Sequence, residues 1–144
     1  MAGTNITDNL YWQLFRVAIT AKHKLMSLAE AHGLTVMQLY TLCLLDADTS
    51  LPMNSLSSML HCDASNVTGI VDRLLHQDYI KREENPKDRR EKMITLTAKG
   101  TKLCEKISDA FTGYEPGILQ ALTQTEQKQL KIILAKIIAS SAAK

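Results

Sequence analysis

Asp63-Ala64-Ser65-Asn66-Val67-Thr68-Gly69-Ile70-Val71-Asp72-Arg73-Leu74-Leu75 opens the stretch, residues 63–97, whose reading decides the fold. Apolar residues at 67, 70, 71, 74 and 75 make one stripe of a helix with a 3.6-residue period. Asp63 stands just before the run, where a carboxylate accepts from free backbone N–H groups and caps the helix. The opposite face carries Ser65, Asn66, Thr68, Gly69, Asp72, Arg73 and His76. Short hydroxyl and amide side chains reach base edges or phosphates without filling a DNA major groove, and arginine pairs with guanine or phosphate. Gly69 costs about 1 kcal/mol relative to Ala in mid-helix. It also leaves room where something must approach the backbone closely. By itself the run reads equally as an ordinary surface helix with a tolerated glycine.

The residues that follow shift that balance. Tyr79-Ile80-Lys81-Arg82-Glu83 and Met93-Ile94-Thr95-Leu96 have the composition of short strands. Between them, Glu84-Asn85-Pro86-Lys87-Asp88-Arg89-Arg90-Glu91 contains an Asn-Pro turn and a basic tip. Helix, then hairpin with a cationic tip, is the layout of a winged helix-turn-helix. The helix enters the major groove, and the wing reaches the neighbouring minor groove, whose negative potential attracts arginine. The interleaved Glu83, Glu84, Asp88 and Glu91 keep a plain solvated hairpin open as the alternative for this segment alone.

At this point the chain resembles the MarR family of transcription regulators. Asp88-Arg89-Arg90-Glu91-Lys92-Met93-Ile94-Thr95-Leu96-Thr97 is similar to that family's wing signature, Asp-x-Arg followed after five residues by Leu-Thr. Asn66-Val67-Thr68 and Val71-Asp72-Arg73-Leu74 look like its recognition helix, and Lys99-Gly100 sits where a Thr-x-x-Gly continuation is expected. The departures are Asp78-Tyr79-Ile80 in place of Gly-Leu-Val, and Gly69 in place of a larger residue. The resemblance implies a dimeric DNA-binding regulator, usually a repressor, released by a small ligand or an oxidant. Arg90 matches the wing arginine that enters the minor groove, and Asp88 the carboxylate that holds it.

The fold class expected is mainly α with a small β-hairpin wing, an α+β arrangement. Residues 1–144 read as one domain, with about 35–97 as the winged helix-turn-helix. The resemblance makes about 8–32 and 98–141 dimerisation helices. The DNA-binding residues expected are Ser65, Asn66, Thr68, Gly69, Arg73, Lys87, Asp88, Arg89 and Arg90. A homodimer would set two recognition helices one DNA turn apart, roughly 34–36 Å, over a pseudo-palindromic site.

A chain of 144 residues has enough length to bury a core. Its net charge of +2 argues little for nucleic acid by itself. The distribution argues more: residues 1–60 hold Arg16, Lys22 and Lys24, whereas Arg73, Lys81, Arg82, Lys87, Arg89, Arg90 and Lys92 crowd the proposed reading head. No apolar run approaches the ~20 residues that a membrane span needs. The N-terminus lacks a basic-then-apolar leader. The expected location is therefore the cytoplasm, without membrane partners.

In chain order, Leu10, Leu14, Val17, Ala18, Ala21, Leu25 and Leu28 recur at helical spacing, and Gly33 is a stop. Tyr11, Trp12 and Phe15 widen that helix's apolar surface, so it needs two partners. Thr35 and Gln38 fit a capping box for a helix running to about Asp46. A polar connector, 46–52, ends in Pro52. A short helix at 54–60 and the turn His61-Cys62-Asp63 complete a helix-turn-helix. After the wing, Leu103, Ile107, Ala110, Phe111 and Tyr114 line a long helix, which Pro116-Gly117 should kink or break. Thr123 and Glu126 form a second capping box ahead of Leu130, Ile133, Leu134, Ile137 and Ile138.

Cys43, Cys62 and Cys104 have neither disulfide-framework nor zinc-site spacing. Cys43, in an apolar helical run, reads as core. Cys62, in the turn near the positive end of the recognition helix, reads first as a plain turn or core thiol, with a redox sensor as the alternative. His23, His32, His61 and His76 share no ligand spacing, and no phosphate loop, zinc helix or nucleophile elbow occurs. The chain is thus expected to be no enzyme and to need no cofactor or metal. The family resemblance leaves room for a pocket binding a small aromatic or phenolic ligand, with Tyr11, Trp12, Arg16 and Tyr40 as its candidate lining. The competing readings are a winged-helix module for protein contacts without DNA, a redox- or metal-responsive regulator of the same family, and an enzyme with an unrecognised site.

Overall fold

Caps and chain reversals divide the molecule. The computed structural model describes residues 6–141, with backbone alone at 113–116 and 118. The chain separates into two compact units, Met1–Val36 and Met37–Lys144.

In the first unit a single 3-10 turn, Ile6–Asp8, leads into helix α1, Leu10–Ala31. The Asn9 side chain accepts from the Trp12 N–H at 3.1 Å and satisfies one of the free donors of the first turn. At the other end the Gly33 N–H donates to Glu30 O and the Leu34 N–H to Ala29 O. With Gly33 at φ +66° this is a Schellman close, so the glycine ends the helix as the sequence leads one to expect. Within α1, Leu28 and Ala29 are buried, whereas Leu10, Leu14, Phe15, Val17 and Ile19 are exposed.

The second unit runs α2 (Val36–Leu44), β1 (Leu51–Pro52), α3 (Met53–Leu60), α4 (Ala64–His76), β2 (Ile80–Glu84), β3 (Lys92–Leu96), α5 (Ala98–Leu119) and α6 (Gln124–Ser141). Its core gathers Leu39 and Leu42 of α2, Leu56 and Leu60 of α3, and Val67, Val71 and Leu74 of α4. Ile80, Ile94 and Leu96 of the strands and Leu103 and Ile107 of α5 complete it. The sheet order is β1-β3-β2, antiparallel throughout. The expected two-stranded hairpin therefore gains a third strand, pairing Leu51 with Ile94 and Pro52 with Met93. Pro52 is admissible there because an edge strand can spare one N–H.

Three further expectations change. Cys43 is exposed, not core: it shares the outer side of α2 with Tyr40, while Leu39 and Leu42 face in. Helix α5 passes through Pro116-Gly117 without a break and ends at Leu119. A proline one turn from a helix end deletes a single ladder bond, and the helix stops soon afterwards in any case. Tyr114, expected on the apolar side of α5, lies outside the described side chains. Helix α2 ends at Leu44, two residues short of Asp46.

Candidate nucleic-acid interface

Helix α4 is set from both ends. Asp63 adopts extended backbone, and its Oδ1 accepts from the Asn66 N–H at 2.9 Å and the Ser65 Oγ at 2.8 Å. These donors, led by the Asn66 N–H, hold the Asp63 carboxyl below its usual range. Before it, His61 at φ +52° lets Cys62 N–H reach back to Ser57 O, which makes the tight turn between α3 and α4. After it, Asp78 at φ +59° plays the same part: its N–H donates to Leu75 O and the Tyr79 N–H to Leu74 O.

Val67, Val71 and Leu74 are buried, which turns Ser65, Asn66, Thr68, Gly69, Asp72 and Arg73 to solvent. Thr68 Oγ1 bonds back to Ala64 O at 2.9 Å. A Cβ on Gly69 would meet nothing within 4 Å, so the glycine leaves the outer face of α4 open.

The wing is the β2–β3 hairpin, with Arg82 opposite Ile94 and Glu84 opposite Lys92. The strand charges are paired across and along it: Lys81 with Glu83 at 2.9 Å, Lys92 with Glu84 at 3.0 Å. Arg82 reaches Asp72 of α4 at 4.0 Å, a contact between wing and helix. None of these pairs involves the exposed Lys87, Arg89 and Arg90 at the tip, which have no carboxylate partner among the described residues. Asp88 does not meet the Arg90 guanidinium. Its Oδ1 accepts from the Arg90 backbone N–H at 3.0 Å and shapes the chain that carries the arginine.

The tip has a floor that sequence reasoning missed. Asn85 Oδ1 accepts from the Lys87 N–H at 3.0 Å, and Asn85 Nδ2 donates to the Glu91 carboxylate. The signal available was Asn before Pro, which favours side chain-to-backbone turns, but nothing in the spacing pointed to Glu91 as the partner.

A clamp joins wing to α5. Thr97 caps α5 by accepting from Gly100 N–H at 3.0 Å and donates through Oγ1 to Asp78 O at 2.7 Å. Lys99 Nζ donates to Gln77 O at 2.7 Å and lies 4.7 Å from the Tyr79 ring centroid.

Of the candidate ligand residues, Tyr11, Trp12 and Arg16 all belong to α1, where Trp12 stacks on Phe15 with centroids 5.6 Å apart. Tyr11 is 80% exposed, and Tyr40, on α2 in the other unit, is 42% exposed. Among the described residues no group of three or more His, Cys, Asp or Glu is arranged to hold a metal ion. Burial pushes the Cys104 thiol up to about 11, with neighbouring Cys43 adding to the effect, and its Sγ points at Leu42 O, 3.6 Å away. No helix among the described residues is long and apolar enough to cross a membrane.

Residues 34–92 match the model of the MarR family. The HTH-type transcriptional regulator BilQ of Clostridium symbiosum is 28% identical over 127 residues, 88% of this chain and 87% of its own. The HTH-type transcriptional repressor MdtR of Bacillus subtilis is 32% identical over 108 residues, 75% of this chain and 70% of its own. A crystal structure of a MepR mutant from a multidrug-resistant S. aureus clinical isolate superposes with a TM-score of 0.77 at 28% identity, covering 92% of this chain and 98% of that one. With its three-stranded winged helix and an exposed polar face on α4, the chain belongs to the MarR family: it is a DNA-binding transcription regulator and not an enzyme.

Proposed function

We propose that the chain is a repressor that binds a pseudo-palindromic operator as a homodimer and leaves it on binding a small aromatic or phenolic ligand. The observation that carries the reading is the pairing of an outward polar face on α4 with a wing tip whose Lys87, Arg89 and Arg90 have no carboxylate partner among the described residues. In this reading residues 35–97 form the reading head. Ser65, Asn66, Thr68, Gly69 and Arg73 face base edges and phosphates, Lys87, Arg89 and Arg90 the minor groove and backbone, and Asp88 positions Arg90. Residues 8–32 and 98–141 pair with a second copy, and the exposed apolar faces of α1 and α6 support that assignment. The related MdtR is named a repressor, which supports repression over activation. The work is done in the cytoplasm, where DNA is.

The test is Arg90→Ala. Because Arg90 is exposed and makes no ion pair, the substitution leaves melting temperature and oligomeric state unchanged. It weakens binding to an operator selected from genomic DNA by several-fold or more. Mutant and parent must be compared at one salt concentration, since phosphate contacts make affinity salt-dependent. Equal affinities would refute the assigned role.

A further inference from the structure

The loop at residues 85–91 contains no glycine and carries three cations, a composition that would ordinarily leave it spread over many conformers. Instead it is bonded at every level. The Asn85 N–H donates to Glu91 O at 3.0 Å, the Asp88 N–H to Asn85 O at 3.2 Å and the Glu91 N–H to Asp88 O at 3.0 Å. Asn85 Oδ1 holds the Lys87 N–H and Asp88 Oδ1 the Arg90 N–H, each at 3.0 Å. The floor of this arrangement is the side-chain bond from Asn85 Nδ2 to the Glu91 carboxylate. Both residues are half-buried, while Lys87, Asp88, Arg89 and Arg90 above them are exposed.

Charge alone gives Glu91 an adverse part. A carboxylate three residues from Asp88 and next to Arg90 dilutes the positive tip and repels phosphate. Its geometry gives it a different one. We propose that Asn85 and Glu91 are positioning residues for DNA binding: their side-chain bond closes the base of the wing tip and presets the backbone that carries Arg89 and Arg90, so a glutamate beside the DNA raises affinity. The inference rests on the reading that this wing meets DNA. A preset tip spares the ordering that a loose loop would undergo on binding.

The two effects of Glu91 have opposite signs, which makes the proposal testable by gel shift at fixed salt on an operator fragment selected by the parent protein from random duplexes. Glu91→Ala is expected to weaken binding about three- to ten-fold, the scale on which preorganisation of one loop acts. Glu91→Gln keeps an oxygen for Asn85 Nδ2 and loses only the charge; it binds at least as well as the parent. Asn85→Ala weakens binding as Glu91→Ala does. In an Arg90→Ala background the loss caused by Glu91→Ala is smaller than in the parent, because one of the two arginines it positions is gone. Without DNA, Glu91→Ala speeds amide hydrogen exchange at Asn85, Lys87 and Arg90 and leaves the α4 amides unchanged. Binding by Glu91→Ala equal to or tighter than the parent, with Arg90→Ala still weakened, overturns the clamp and leaves the wing reading standing. Parental affinity in Arg90→Ala overturns both.

Discussion

Gly100 is the residue whose identity the backbone dictates most strictly. A Cβ there would sit 1.9 Å from Tyr79 O and 2.9 Å from Tyr79 C, so backbone, not a flexible side chain, would have to yield. Gly100→Ala should cost about 1–3 kcal/mol, as other forced overpacking does, measured by denaturant unfolding. The wing should feel it too, because Tyr79 O and Asp78 O accept from Thr97 N–H and Oγ1 in the same clamp. Asp78 offers the converse case. At φ +59° its Cβ is strained, and its backbone alone makes the turn bonds. Asp78→Gly should stabilise the fold by up to about 1 kcal/mol, the scale of the left-handed penalty; a loss of stability would refute the argument. Neither residue was readable for this purpose from sequence. Gly100 was marked only through a family resemblance, and the left-handed turn at Asp78 was hidden because its usual glycine is absent. Asp88 shows a similar limit: its pairing with Arg90 was expected, but not that the backbone N–H would be the partner.

Among elements, the long periodic ones were legible. The stripe at 67, 71 and 74 is buried, its polar face is exposed, and Thr123 with Glu126 forms the expected box, with Glu126 Oε2 accepting from Thr123 N–H at 2.8 Å. A two-residue strand has no period to detect, so β1 escaped, and a uniformly apolar run does not say which side faces in, so Cys43 was misplaced. The caps also predict acid behaviour. Backbone N–H bonds hold both Asp63 and Glu126 below the ordinary carboxylate range. A carboxyl whose folded pKa is depressed adds stability above its unfolded value, near pH 4, and loses it as pH falls through the folded value. Unfolding midpoints should therefore decline below about pH 4. Asp63→Asn, which keeps a capping oxygen but cannot titrate, should flatten part of that decline. An unchanged acid limb would count against the cap as its source. At neutral pH the two proteins should differ little.

The whole molecule presents a mismatch between its modest net charge and its apolar surface. A charge of +2 gives weak general attraction to DNA, so in the proposed reading the concentrated cations of the wing and a second reading head make up the affinity. Helix α6 has no buried residue in the single chain, and Ile132, Ile133, Leu134, Ile137 and Ile138 are between 37% and 66% exposed. So broad an apolar surface is uncommon on a monomer and is what a second copy would cover. Ile133 and Ile137 lie one turn apart on one side of the helix. Replacing both with Glu removes no contact that buries them within one chain, so helix content by circular dichroism should stay close to parental. Sedimentation equilibrium should instead show monomer. Operator affinity should fall about 100-fold or more, because two linked reading heads bind with an avidity that one lacks. A double mutant that still sediments as a dimer would place the pairing surface elsewhere than α6. One that sediments as a monomer yet binds the operator like the parent would show that a single reading head suffices.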